Sequence, residues 1–166
     1  GARVVVVLSV NFFLTRFFSR TIAGDLTAVA GLTLGAPAGY YVLTGSMDKT
    51  AFLLYAFNLL FFGCSVFYVH MKIRASARKS EITWSEKLSL GKLNLFYHAA
   101  VVSVVAIFAA VQLTTLVVLV AFVPMIIHGV YGTVTLSRKV RFKNLGFLLL
   151  AQSILFGILV QQITWR

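Results

Sequence analysis

The chain has 166 residues, of which 60% are hydrophobic and 11% charged; an ordinary soluble domain has about 45–50% and about 25%. Its mean hydropathy is +0.93, which excludes a soluble globular domain, a disordered chain and a disulfide-stapled module, and leaves a multi-pass membrane protein. The net charge of +11 would suggest nucleic acid in a soluble protein, but here the cations fall between apolar runs without any recognition-helix or RNA-motif pattern, so no nucleic-acid partner is expected.

A spanning helix needs about 20 mostly apolar residues, and six segments approach that length. The first, residues 4–18, is short, is interrupted by Asn11 and Arg16, and reads as a partial span. The others cover residues 22–44, 50–73, 93–113, 115–136 and 145–164. No stretch alternates at period two as a membrane barrel strand does. The expected fold is all-α, a multi-pass transmembrane helical bundle of five full spans plus one partial N-terminal span, forming a single domain over residues 1–166. The start at Gly1, without Met, is expected of a processed chain or of the C-terminal portion of a longer one. Cys64, the single cysteine, sits in an apolar run and is expected to be a buried, inert thiol.

The basic residues alternate by connection. Arg16 and Arg20 follow the first segment. Lys72, Arg74, Arg78, Lys79, Lys87 and Lys92 lie around the third connection, and Arg138, Lys139, Arg141 and Lys143 lie in the last. Of the 15 cations, Arg3, Lys49 and Arg166 alone fall elsewhere. The positive-inside rule makes the rich side cytoplasmic, with both termini outside. Within the 74–92 cytoplasmic loop, Thr83-Trp84-Ser85-Glu86 matches a capping box. It reads either as a short interfacial helix with Trp84 at headgroup depth or as an extension of the fourth span.

Gly31, Gly35 and Gly39 recur every four residues and form a smooth helix face suited to close packing, chiefly within the chain. Gly129 with Gly132, and Ser153 with Gly157, offer two further close-approach sites. Pro37 and Pro124 each remove a backbone hydrogen bond within a span, so a kink is expected at both.

The run Gly31-Leu32-Thr33-Leu34-Gly35-Ala36-Pro37-Ala38-Gly39-Tyr40-Tyr41, with Thr44-Gly45 and Phe67-Tyr68-Val69, resembles the YwiC-like family of bacterial integral membrane proteins. The resemblance implies a helical membrane topology and no settled activity. The family's further N-terminal helices and its His-Gly-Ala-Trp stretch are not in this sequence. The family in turn looks distantly like UbiA-type prenyltransferases, whose paired Asp-rich motifs hold Mg²⁺ against a diphosphate. Here Asp25, Asp48, Glu81 and Glu86 are the only acids and no two aspartates are close in sequence.

Polar groups inside a membrane are costly and mark structure or function. His70, His98 and His128 all fall in the cytoplasmic half of their spans, His128 deepest. Imidazole can ligate haem iron or the magnesium of bacteriochlorophyll, or bond a quinone; a bond to a neighbouring helix is the plainer expectation. Asp25 and Arg20 are expected to form an ion pair at the entry of the second segment. Asn11, Asn58, Asn94 and Gln152 read as interhelical hydrogen-bonders, and Tyr40, Tyr41 and Trp165 as an outer aromatic belt. No Ser-His-Asp arrangement or P-loop occurs. The expected function is a non-catalytic accessory or scaffolding subunit of a photosynthetic or respiratory membrane complex. It would touch lipid, quinone, bacteriochlorophyll or carotenoid along its helices, with the bilayer and other membrane subunits as partners. A UbiA-like lipid or prenyl transferase is the alternative, and a small transporter a more distant one.

Overall fold

The computed structural model describes residues 21–164, all of them helix, turn or connection. The partial first span, Asn11 and Trp165 lie outside the described residues, as does Arg20, and with it the expected pair to Asp25. Five helical stretches are long and apolar enough to cross a membrane: Ile22–Thr44, Lys49–Ser76, Trp84–Ala110, Leu116–Val134 and Phe142–Gln162. The fold is therefore an all-α, multi-pass helical bundle. The contacts of the described residues group them into two compact units, divided between Val66 and Phe67.

In the first unit, α1 (Ile22–Thr33) starts at Thr21, whose hydroxyl accepts the Gly24 amide at 3.1 Å, with Asp25 in the first turn, where the helix dipole favours an anion. The break expected at Pro37 falls at Leu34, between α1 and α2 (Gly35–Thr44). Proline has no amide for the carbonyl four residues before it, and its ring crowds that carbonyl, which here belongs to Thr33. The Leu34 amide reaches Gly31 instead, at 3.3 Å. Thr33 and Pro37 are the buried residues of this pair. Gly31, Gly35 and Gly39 face the other way: a Cβ at any of them would meet no atom of the described residues within 4 Å. No described residue fills the smooth face that their four-residue spacing makes.

Gly45 ends α2 in the left-handed region at φ 70°, its amide on Tyr41 at 2.8 Å. Asp48 then caps α3 (Lys49–Ser76): one carboxylate oxygen accepts the Thr50 and Ala51 amides at 2.8 and 3.3 Å, and the other accepts the Tyr40 hydroxyl at 2.8 Å. Along α3, Leu53, Phe57, Phe61, Cys64, Tyr68, Met71 and Ala75 are buried, spaced three or four residues apart as one face of a helix must be. Tyr55 donates to the Ala30 carbonyl of α1 at 3.4 Å. Asn58 bonds the Leu54 carbonyl of its own helix at 2.7 Å rather than a neighbour.

The second unit holds the end of α3, then α4 (Trp84–Ala110), a 3₁₀ turn (Leu116–Val118), α5 (Leu119–Val134) and α6 (Phe142–Thr164). α4 packs on α5, and α5 on α6. Residues 84–92 form the opening turns of α4 rather than a separate interfacial helix, and α3 runs on to Ser76, so the connection between them is short. The capping box is present at its start, with Glu86 accepting the Thr83 amide at 3.0 Å. Pro124 lies inside α5 without interrupting it. Tyr68, Met71, Ala75, Leu136 and Leu145 form a core cluster, and Ile82, Leu90 and Val140 pack against it from the two basic connections and the start of α4.

Candidate functional site

The polar residues of the second unit converge where α3, α4, α5 and α6 meet. On α4, Gly91, Asn94, His98, Val101 and Val105 are buried at helical spacing, which aims Asn94 and His98 at α5. The Asn94 amide donates to the Gly129 carbonyl at 3.1 Å and to the Thr133 hydroxyl at 3.2 Å. Thr133 in turn faces the Gly129 carbonyl at 2.9 Å and the Met71 sulfur of α3 at 3.3 Å. One buried amide and one hydroxyl thus tie three helices together.

His98, 3% exposed, bonds the Asn94 carbonyl through Nδ1 at 2.7 Å. A carbonyl only accepts, so Nδ1 carries a proton. Nε2 and Asn94 Oδ1 are both buried and have no hydrogen-bond partner among the described residues. The His98 ring lies against Gly129: a Cβ there would stand 2.6 Å from Cε1 and closer still to Nε2. Gly132 makes the same room for Tyr68, whose Cζ would lie 2.7 Å from an added Cβ, and Gly91 makes room for Thr133. The Gly129 and Gly132 close approach expected from sequence is therefore present. That expected of Ser153 and Gly157 is not seen among the described residues, since a Cβ on Gly157 meets nothing within 4 Å.

His128, on the turn beside Gly129, is half-buried. Its Nδ1 bonds the Gln152 side-chain oxygen of α6 at 3.1 Å, and the Gln152 amide nitrogen donates to the Pro124 carbonyl at 3.2 Å. Its ring sits on Tyr68 with centroids 4.4 Å apart. With Nδ1 held by the Gln152 oxygen, Nε2 is the ring nitrogen not engaged by that bond. His70 is two residues from Tyr68, about 200° around the helix, and so faces away from this cluster.

Two lysines close the end of α5. Lys72 donates to the Gly132 carbonyl at 3.1 Å, with its ammonium 5.2 Å from the Tyr68 ring centre, and Lys87 donates to the Val134 carbonyl at 3.3 Å. Beyond them, the Arg138 guanidinium donates to the Lys79 carbonyl at 2.6 Å, which joins the two basic connections at one end of the unit.

Among the described residues no three His, Cys, Asp or Glu side chains are close enough to hold a metal ion. Asn94 and Gln152 are interhelical hydrogen-bonders as expected. The Asn94–Thr133 pairing, the Gly91 notch and the lysine caps are additions, since each depends on how one helix registers against another. The chain matches no family model, no curated protein and no solved structure.

Proposed function

We propose that this chain is a non-catalytic multi-pass protein of a bacterial cytoplasmic membrane, an accessory or scaffolding subunit of a larger respiratory or photosynthetic assembly. One observation carries the reading. The Asn94, Thr133 and Gln152 side chains at the heart of the second unit reach neighbouring helices, and none of the chain's four carboxylates lies among them. These three work as fasteners, the commonest use of polar groups in lipid, while His98 bonds its own helix. The long exposed apolar faces, including Phe96, Ile107, Ile127 and Phe147, are surface for acyl chains or for other subunits. His128 is the contact this reading assigns to a pigment or haem metal. A quinone carbonyl needs a donor, and the Nδ1 proton is already taken, so a quinol hydroxyl suits its Nε2 better. The positive-inside rule puts the connections at 77–83 and 135–141 in the cytoplasm, and membership of the YwiC-like group belongs to the same proposal.

Extraction in a mild detergent is expected to recover the chain with other membrane proteins at fixed stoichiometry. If it instead emerges alone and turns over a lipid substrate, the reading is wrong.

A further inference from the structure

The same contact that joins the two basic connections gathers a cluster of cations with little to neutralise it. Lys72 and Lys87 are committed to helix carbonyls. The side chains of Arg74, Lys92, Lys139, Arg141 and Lys143 are exposed and make no hydrogen bond or ion pair among the described residues. The acids at this end are Glu81 and Glu86, and the latter is held by the Thr83 amide and hydroxyl. Like charges gathered at one end repel one another, and an outside anion would offset that repulsion.

The surroundings select the anion. α3 has 28 residues and α4 has 27, about 40 Å each at 1.5 Å per residue, against a hydrocarbon layer of about 30 Å. Both helices therefore extend into the headgroup region, and the cations sit there. Exposed apolar side chains alternate with them: Ile73, Trp84, Leu88 and Phe142 are 48%, 57%, 43% and 48% exposed. A soluble phosphate would use the charges and leave these side chains in water. A molecule with an anionic head and acyl chains satisfies both sets.

We infer that this end of the second unit is a binding site for anionic phospholipid, the phosphodiester lying among Arg74, Lys139, Arg141 and Lys143 and the acyl chains running along Trp84 and Phe142. The inference rests on the membrane-spanning reading of α3 to α6 and does not depend on whether the chain has protein partners.

The test uses the full chain purified in detergent with equal amounts of phosphatidylglycerol and phosphatidylcholine of the same acyl composition. Retained lipid is measured by mass spectrometry. Each cation near an anionic headgroup strengthens binding on the order of fivefold, so phosphatidylglycerol is expected to be enriched roughly tenfold or more. Salt should reduce the enrichment, inorganic phosphate at matched ionic strength should not displace the lipid, and R74Q/K139Q/R141Q/K143Q should bring the ratio near one, while K49Q in the other unit leaves it unchanged. Equal retention of the two lipids by the native chain overturns the inference. So does an enrichment indifferent to salt, a quadruple variant that keeps it, or release by inorganic phosphate, which would make this a site for the free ion.

Discussion

Substituting Gly129 by Ala tests one of the three close glycine contacts of the second unit. The added methyl would stand 2.6 Å from the Cε1 of His98 and nearer to Nε2. Both helices are anchored around that point, since Asn94 holds the Gly129 carbonyl and His98 holds the Asn94 carbonyl. The ring therefore has no free rotamer to escape into without breaking its Nδ1 bond. Overpacking of this kind costs about 1–3 kcal/mol. Replacing helical glycine by alanine recovers about 0.5–1 kcal/mol of backbone entropy. The two terms leave Gly129→Ala destabilised by up to about 2.5 kcal/mol, with a midpoint of about 1 kcal/mol. The identical change at Gly31 or Gly157 meets no described atom within 4 Å, so there only the favourable term of about 0.5–1 kcal/mol remains. Reversible unfolding in mixed micelles, followed by circular dichroism, measures all three. The double variant Gly129→Ala/His98→Ala isolates the ring: removing it should cancel most of the Gly129→Ala penalty. A penalty that survives intact in the His98→Ala background, or a Gly31→Ala as harmful as Gly129→Ala, would refute the packing argument.

Lys72→Met removes a charged donor from the Gly132 carbonyl and should lower unfolding stability by about 1.5–3 kcal/mol; Lys72→Arg should recover part of it, and equal losses in both would argue against the cap. Asn94→Leu loses two bonds but also removes the unpartnered Oδ1, so it should cost clearly less than Asn94→Ala, which leaves a cavity as well. The Tyr40 hydroxyl, followed by the Thr50 and Ala51 amides, holds the Asp48 carboxyl below the usual carboxylate value of 3.8. Its capping of α3 is therefore complete at neutral pH and is lost as pH falls through that lowered value. Hydrogen exchange at the Thr50 and Ala51 amides should quicken, beyond its intrinsic pH dependence, only under strong acid, and Asp48→Ala should abolish the difference. In a Cys64→Ala background, cysteines at 79 and 138 should cross-link with a short reagent and react with an impermeant maleimide from the same side of the membrane; labelling from opposite sides would contradict the Arg138–Lys79 contact.

Composition and length alone make the five spans legible, because apolar runs of this size have few other solutions. The residues 22–44 predicted as one span are one span, broken at Leu34 by the proline three residues on. The start of α4 was open between two readings because the capping box marks a helix start equally well for a short helix and for a long one. Nothing between Trp84 and Leu93 stops the helix, and Gly91, which could have, is instead the notch that receives Thr133. The site was legible as a set of residue types and not as a set of pairs. Asn94 and Gln152 announce themselves as polar residues in lipid, but which carbonyl each one reaches depends on the register of α4 and α6 against α5. The glycine faces show the same limit: Gly31-Gly35-Gly39 has the more regular spacing, yet Gly129 and Gly132 are the glycines with aromatic rings against them.

The charge pattern shows why register matters for function as well as for packing. Counted along the sequence, Lys72 and Lys87 are two more cations favouring one side of the membrane. In the structure their ammonium groups sit on the Gly132 and Val134 carbonyls, at the end of a helix whose last carbonyls have no intrahelical partner and whose dipole is negative there. A carbonyl left bare at that depth has less water to turn to than one on a soluble protein, so the lysines satisfy groups that would otherwise carry a desolvation cost. These two cations are therefore unavailable to lipid phosphates, and the outward-facing ones, Arg74, Lys139, Arg141 and Lys143, are left to meet the headgroup layer. Neutralising the first pair should weaken the fold with little effect on lipid preference, and neutralising the second group should do the reverse. A basic residue's position in a loop does not distinguish those roles; the atom its side chain reaches does.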